Sequence, residues 1–198
     1  GILFKNQDLA APLELCYRSL VECGLEQIAK GSLLDTIRRA HTFGLPLIRL
    51  DIRQEATRHA EAVAEMVEYL GLGDYLSWNE NERQAFLVKE LRGRRPLVPR
   101  NWEASESVRE VLDTCEVVAK QTPEALGSYV ISMASKPSDV LSVILLLRES
   151  GMKFPMRVVP LFETLDDLRG APDSMAALYE VEWYQNYCQG RQEVMIGY

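Results

Sequence analysis

The chain has 198 residues, 47% hydrophobic and 26% charged, which is the composition of a globular protein and excludes a disordered or fibrous one. Its 22 Lys and Arg against 29 Asp and Glu give a net charge of −7, which argues against a nucleic acid or an anionic membrane as the main partner. Nothing resembles a signal peptide, and the most apolar stretch, residues 140–147, is too short to span a bilayer, so we expect a soluble, cytoplasmic protein.

Helical periodicity dominates the first part of the chain. Apolar residues recur at helical spacing from about Leu9 to Phe43, and Ser32 followed by Asp35 has the form of a capping box that starts a second helix after Gly31. The first strand is predicted over residues 45–53, which are rich in branched apolar side chains.

The middle of the chain alternates between helix and strand. Helices are predicted over about 56–70 and, from the capping pair Asn79 and Glu82, over about 79–91. After a loop, a third helix is predicted over 105–120 and a second strand over 127–134.

Pro137 opens a mostly apolar helix that ends near Gly151. The third strand, residues 158–162, stops abruptly at Glu163, and Thr164 with Asp167 caps the next helical segment. We expect one more helix from Pro172 to about Tyr187, and then a terminal strand over 191–198.

Strands that alternate with helices predict parallel pairing through crossover connections. The predicted fold class is therefore helix-rich α/β, with a partial (β/α) barrel of parallel strands and flanking helices. No repeat or linker divides the chain, so residues 1–198 are interpreted as a single segment. Chemistry in such barrels gathers at the carboxyl ends of the strands, and we expect a common face there that carries Arg53, Ser132, Glu163 and Tyr198.

Arg53 and Glu163 are the two candidate site residues. The guanidinium of Arg53 suits a phosphate or a carboxylate, although an ion pair with Asp51 or Glu55 is the structural alternative. The carboxylate of Glu163 is a hard oxygen ligand suited to Mg²⁺ or Mn²⁺, and a salt bridge is the alternative.

Other polar residues are interpreted as structural. Asp166 and Asp167 lie in the first turn of a helix, where acids stabilise the helix end. His41 and His59 lack the spacing of a metal site. The run Arg92, Arg94 and Arg95 is interpreted as a solvated charge cluster, and an anion site is the alternative. The tryptophans are expected to be packing anchors: Trp78, Trp102 and Trp183.

Four cysteines lack the close pairing of zinc or redox motifs, so we predict reduced, mostly buried thiols: Cys16, Cys23, Cys115 and Cys188. Both ends look cut, because Gly1 is not an initiator and the last strand-like run halts without a following element. We therefore expect a piece of a longer protein.

Several stretches together resemble phosphoenolpyruvate carboxylases, and the resemblance covers essentially the whole chain. The matching text is RLDIRQE (49–55), TRH (57–59), RPL (95–97), PRNW (99–102), EVLDTC (110–115), YVISMA (129–134), PSDVL (137–141), PLFETLDDL (160–168) and VMIGY (194–198).

The resemblance implies a large, mostly helical, allosteric homotetramer around an eight-stranded TIM barrel. Such an enzyme joins bicarbonate to phosphoenolpyruvate and gives oxaloacetate and phosphate, which is anaplerotic carbon dioxide fixation that feeds the tricarboxylic acid cycle. By resemblance Glu163 is one of two carboxylates that hold Mg²⁺ or Mn²⁺, and Arg53 is one of the arginines that bind the substrate phosphate.

The resemblance also implies an incomplete site. The second metal carboxylate belongs to a Ser-Asp-Ser stretch that follows the position of Tyr198 in the family, and the catalytic histidine and a Gly- and Arg-rich loop also lie outside this sequence. No catalytic residue is assigned within the chain, and we expect it to be inactive alone. Two alternatives are a self-associating barrel-fragment scaffold and another barrel lyase that uses enolate chemistry.

Overall fold

The computed structural model describes residues 5–97, 99 and 102–197. The chain divides into two compact units, Gly1–Leu50 and Asp51–Tyr198. Its assignment to one segment of a barrel enzyme stays a prediction.

The first unit is helical. It contains α1 (Asn6–Glu22), α2 (Glu26–Ile28) and α3 (Leu34–Phe43), and a π-helical turn, Ala29–Leu33, joins α2 to α3. Gly31 breaks the helical path there with φ −82° and ψ −134°. Four small or branched residues form the buried centre of this unit: Ala10, Ala29, Ile37 and Ala40.

The predicted capping box at Ser32 is wrong. Leu33 precedes α3 with helical φ and ψ, so the backbone at Ser32 already belongs to a helical turn and its side chain does not cap the helix. The Ser32 carbonyl instead accepts a hydrogen bond from Thr36 Oγ1 at 2.8 Å, and Asp35 forms an ion pair with Arg38 at 3.5 Å.

The cysteines are all free, as predicted, but they are not mostly buried. Cys16 and Cys23 are exposed, Cys188 is half-buried and only Cys115 lies in the core. Cys16 lies on α1, where Ala10 is the buried residue, so most of that helix surface is open to solvent.

Among the described residues, four strands form one sheet in the order β1-β2-β3-β4: Leu50–Glu55, Leu126–Ser132, Arg157–Phe162 and Met195–Ile196. β2 and β3 pair in parallel, with Tyr129 opposite Val158, and β3 and β4 pair in parallel, with Leu161 opposite Met195. This confirms a helix-rich α/β fold. Whether the sheet belongs to a partial barrel stays a prediction.

In the part of the chain that the structure describes, six α-helices accompany this sheet: α4 (Ala56–Tyr69), α5 (Glu80–Arg92), α6 (Glu106–Ala119), α7 (Pro137–Glu149), α8 (Leu165–Glu180) and α9 (Glu182–Cys188). The capping pairs predicted at α5 and α8 are confirmed: Asn79 Oδ1 accepts from the Glu82 amide and Thr164 Oγ1 from the Asp167 amide, both at 3.1 Å. Pro137 opens α7, and Gly71 follows α4 with φ +66°, as expected for a helix stop.

Several predicted element boundaries are wrong. β1 begins at Leu50 and not at residue 45, because the backbone turns tightly at Leu47, which has φ +68°, and the Ile48 amide donates to the Pro46 carbonyl at 2.8 Å. Pro172 lies inside α8 and does not start a helix; the break comes at Val181, between α8 and α9.

Within the described residues 191–197, the terminal strand predicted over 191–198 is confined to Met195 and Ile196. Tyr198 lies outside the described residues, and residues 191–194 have no regular structure.

The two faces of the sheet are packed differently, since neighbouring residues of a strand point to opposite sides. Tyr129, Ile131 and Val158 face the helices and join a large core with α4, α6 and α7. Three residues of the opposite face form a small second cluster on which Met195 packs: Val130, Val159 and Leu161. Trp78, Trp102 and Trp183 pack in or against the large core, which confirms them as anchors.

Candidate functional site

Glu163 directly follows β3 at the carboxyl end of the strand. Its side chain is exposed and makes no hydrogen bond or ion pair with another described residue. Gly197 lies against it, with its amide donating to the Phe162 carbonyl at 2.9 Å. The carboxylate is therefore open to solvent and to a cation, at the edge where the resemblance places a metal ligand.

Arg53 lies inside β1, which continues two residues further to Glu55, so the prediction that this arginine closes the strand is wrong. Its side chain is exposed, and its Nη2 lies 3.6 Å from the Sδ of Met195. Because Met195 pairs with Leu161, this contact lies two residues before Glu163 along β3, or roughly 7 Å at the usual rise of a strand.

The alternative in which Arg53 forms an ion pair with a neighbouring acid is not seen among the described residues. Asp51 Oδ1 accepts the Ser128 amide at 2.7 Å, which ties β1 to β2, and Glu55 accepts from Thr57 Oγ1 at 2.9 Å. The salt-bridge alternative for Glu163 is likewise not seen within the described ranges. Both candidate charges are left for other partners.

The end of β2 carries an unusual backbone. Met133 follows Ser132 with φ +54°, a left-handed conformation that costs on the order of 1 kcal/mol or more for a non-glycine residue. Asp139 anchors the loop after it, because its Oδ2 accepts the amides of Ser135 and Lys136, both at 2.9 Å. Burial raises the pKa of this carboxyl. The loop is therefore held in a defined shape at the same edge of the sheet.

Glu80 strengthens this anchor. Its two carboxylate oxygens accept from the Ser138 amide at 2.9 Å and from the Ser138 hydroxyl at 2.7 Å. The predicted common face thus contains the ends of β2 and β3, with Ser132 and Glu163, while Tyr198 lies outside the described residues and Arg53 reaches the face only through its long side chain.

A metal ion would find one suitable carboxylate here. In the described part of the chain, no group of three or more His, Cys, Asp or Glu side chains is arranged to hold a metal. A single exposed carboxylate fits one position around Mg²⁺ or Mn²⁺, which keep several waters and substrate oxygens as ligands. Glu163 therefore fits as one ligand of an incomplete site.

Several polar residues that were interpreted as structural form a helix cap or ion pairs with neighbouring side chains. Asp167 completes the cap of α8, and Asp166 lies 3.4 Å from Arg169. His41 lies 2.7 Å from Glu14. Arg92 forms an exposed ion pair with Glu182 at 3.4 Å.

His59 departs from this pattern. It is buried in α4 with Nε2 2.9 Å from the Tyr129 hydroxyl, and its Nδ1 is buried without a hydrogen-bond partner among the described residues. Burial, with a smaller contribution from the charge of Arg58, lowers the pKa of His59 to about 4. Burial also raises the pKa of Cys115, which hydrogen-bonds Tyr129, to about 12. His59, Cys115 and Tyr129 thus lie in the core on the helix-facing side of the sheet, where burial favours the uncharged forms of His59 and Cys115.

A surface pocket of about 310 Å³ lies between α5, α7 and α9, and the stacked rings of Trp183 and Tyr187 form part of its wall. Phe154 and Pro155 also line it, just before β3 begins. The pocket is therefore at the end of β3 opposite to Glu163 and is separate from the candidate site.

Sequence reasoning missed two residues that contact the candidate pair, Met195 and Gly197. The contact between Arg53 and Met195 joins positions 142 residues apart, and no local pattern reports such a pairing. A glycine inside the strand predicted over 191–198 is a weak signal of a close backbone approach, and Gly197 offered that signal in the sequence.

Comparison with known proteins decides the family. The sequence model of the family described as phosphoenolpyruvate carboxylase matches residues 1–198. The chain belongs to the phosphoenolpyruvate carboxylase family. It is 87% identical over 198 residues to a phosphoenolpyruvate carboxylase of Marinobacter nauticus, 61% over 197 residues to one of Hahella chejuensis, and 57% over 198 residues to one of Escherichia coli.

These alignments include all of this chain but only 22% of each of these three phosphoenolpyruvate carboxylases. The chain therefore spans about a fifth of the length of its relatives. Among the described helices, none is both long enough and apolar enough to cross a membrane.

Proposed function

We propose that this chain supplies Arg53 and Glu163 to the active site of a phosphoenolpyruvate carboxylase that converts phosphoenolpyruvate and bicarbonate to oxaloacetate and phosphate. The observation that supports this most is that both side chains are exposed, lack an ion pair with any described residue, and lie near one another through β4. We also propose, from the family resemblance alone, a cytoplasmic allosteric homotetramer with the chain as part of its TIM barrel.

In the proposed reaction, a bicarbonate oxygen attacks the phosphorus of phosphoenolpyruvate, and the bond from phosphorus to the enol oxygen breaks. Carboxyphosphate and an enolate result; carboxyphosphate then splits into carbon dioxide and phosphate, and the enolate carbon bonds to the carbon dioxide. The guanidinium of Arg53 orients the phosphate oxygens and offsets their charge as the phosphoryl group transfers.

Glu163 would hold the divalent metal, Mg²⁺ or Mn²⁺, which when bound supplies electrostatic stabilisation for a developing oxyanion. One carboxylate and one arginine do not form a complete site, so the residues that complete it would come from outside the described part of this chain.

The test uses the intact enzyme that contains this chain. We expect Glu163→Gln to weaken Mn²⁺ binding and to lower kcat/KM by about 10²-fold or more. The electron paramagnetic resonance signal of free Mn²⁺ measures the binding. Asp166→Asn is the matched control, because Asp166 is an exposed carboxylate three residues away whose described partner is Arg169. Equal Mn²⁺ affinity in wild type and Glu163→Gln would overturn the metal role.

Arg53→Gln tests the phosphate role in the same enzyme. We expect a loss of about 10²-fold or more in kcat/KM for phosphoenolpyruvate, with Mn²⁺ affinity retained, because the arginine is assigned to the phosphate and not to the metal. An unchanged KM and kcat would remove Arg53 from the site.

A further inference from the structure

Met195 in the short strand β4 and Gly197 directly after this strand each contact one of the two candidate site residues. Met195 is the first residue of the strand and pairs with Leu161. Its Sδ accepts a hydrogen bond from Arg53 Nη2 at 3.6 Å. Gly197 follows the strand and lies against Glu163. Two residues that are 110 positions apart in the chain thus share one neighbouring element.

Gly197 allows the backbone at Glu163 to approach closely. A Cβ placed at Gly197 would lie 3.1 Å from Glu163 Cα and 3.5 Å from both Glu163 Cβ and the Phe162 carbonyl oxygen. The first distance is below ordinary van der Waals contact, and the atoms that would be pushed belong to the backbone and to the base of the side chain. A methyl group at position 197 therefore has to displace Glu163 or β4 by a few tenths of an ångström.

Met195 holds Arg53 without neutralising it. A thioether sulfur is a weak acceptor, so the contact orients the guanidinium at small energetic cost and leaves its positive charge uncompensated. No other hydrogen bond or ion pair of the Arg53 side chain is formed with the described residues. A carboxylate in the place of Met195 would instead pair with the guanidinium and compete with an anionic ligand.

We propose that β4 is the positioning element of the site: Gly197 sets the place of the Glu163 carboxylate, and Met195 sets the direction of the Arg53 guanidinium. Both act through their neighbours and are positioning residues. The inference rests on the proposed function, because it assumes that Glu163 binds a divalent cation and Arg53 a phosphate.

Gly197→Ala in the intact enzyme tests the first half, with Gly170→Ala as the matched control. Gly170 lies inside α8 and a Cβ there meets nothing within 4 Å, so both variants add one methyl group but only one of them crowds Glu163. We expect Gly197→Ala to weaken Mn²⁺ binding by about 10- to 100-fold, the range for groups that orient metal ligands. Gly170→Ala is expected to stay within about twofold of wild type.

Met195→Leu tests the second half, since it keeps the volume of the side chain but removes the acceptor. We expect a several-fold higher KM for phosphoenolpyruvate and unchanged Mn²⁺ affinity. Met175→Leu is the control, because Met175 packs against the core of the helices. If Met195 has a purely structural role, Met195→Leu would instead change the thermal stability without raising the KM for phosphoenolpyruvate selectively over the Mn²⁺ affinity.

The outcomes separate the two proposals. A wild-type enzyme without oxaloacetate formation or Mn²⁺ binding overturns the proposed function itself. A wild-type enzyme with both, in which Gly197→Ala binds Mn²⁺ and Met195→Leu binds substrate as wild type does, overturns the positioning role alone. If Gly197→Ala does not fold by circular dichroism, Met195→Leu decides: an unchanged KM rejects the inference.

Discussion

His59 is a residue whose ionisation state is set by the fold. Its imidazole lies in the core between α4 and β2, against the hydroxyl of Tyr129. Tyr129 also forms a hydrogen bond with Cys115. Loss of hydration disfavours the charged imidazolium, so the pKa of His59 falls from 6.5 to about 4. The neutral ring is therefore part of the packed structure and is unsuited to act as an acid at neutral pH.

This pKa predicts an acid-sensitive fold. Between about pH 6.5 and pH 4 the unfolded chain holds a proton on His59 that the folded chain does not, so acidification through this window lowers the free energy of unfolding. Above about pH 6.5 His59 is neutral in both the folded and the unfolded chain, so its titration does not lower the free energy of unfolding. As the pH falls toward 4, this titration lowers the free energy of unfolding by up to about 3 kcal/mol.

Urea unfolding of the chain at several pH values measures this loss. His59→Gln is the comparison, because an amide can still donate to the Tyr129 hydroxyl but does not titrate. We expect the wild type to lose more stability than His59→Gln over the window, with the carboxylates common to both cancelling in the difference. Identical pH dependence in the two proteins would contradict the burial argument.

Single residues were predictable where the signal is local. The caps at Asn79 and Thr164 depend on a partner three positions away, and Glu163 was found because an apolar strand stops on it. The contact of Met195 with Arg53 was not predictable, because the tertiary pairing of β3 with β4 creates it. The role of His59 also required its burial, which its neighbours in the sequence do not report.

At the scale of elements, α7 is the central helix of the core. It follows the β2 loop and is buried over almost its whole length, which confirms the prediction that its mostly apolar sequence packs on several sides. Such a helix tolerates little loss of volume, since neighbours on several sides would have to collapse into the space.

We therefore expect Leu145→Ala in α7 to lower the free energy of unfolding by about 2–5 kcal/mol. Leu145 is fully buried, whereas Val117 on α6 is 59% exposed, so Val117→Ala serves as an apolar truncation outside the core. That control is expected to change stability by less than about 0.5 kcal/mol. Chemical denaturation measures both, and equal effects would show that α7 is not packed as described.

Element types were predicted better than element limits. Pro172 was interpreted as a helix start, but the residues before it already form a helix with a good cap, and the chain continues through the proline to Glu180. Pro46 and Leu47 were assigned to a strand because they are apolar, yet the positive φ of Leu47 makes a turn there. Hydrophobicity indicates burial or pairing, and it does not report the local dihedral angles that end an element.

The whole chain leaves two edges of its sheet without further partners among the described residues. β1 and β4 are the outer strands, and Leu50 and Ile196 on them are 61% and 67% exposed. Open strand edges with apolar side chains favour association with other chains. We expect the isolated 198-residue chain to self-associate, with a sedimentation coefficient that rises with concentration; a compact monomer at high concentration would contradict this.

Activity is the second property at this scale. Because the chain spans 22% of its named relatives and offers one candidate ligand and one candidate arginine, we expect no oxaloacetate from the isolated chain with Mg²⁺, bicarbonate and phosphoenolpyruvate. A coupled assay with malate dehydrogenase measures this, with the intact enzyme as the positive control. Turnover by the chain alone would show that the missing residues are dispensable.

The length of β4 has a consequence for motion at the candidate site. Among the described residues, four registered pairs join β2 to β3 and two join β3 to β4. In the isolated 198-residue chain, a pairing of two residues opens locally at a small fraction of the global unfolding free energy, so the amide protons of Ile196 and Gly197 should exchange with deuterium well before those of Val130 and Val159. In the isolated chain, local opening of β4 would therefore release the hydrogen bond from the Gly197 amide to the Phe162 carbonyl, directly beside Glu163.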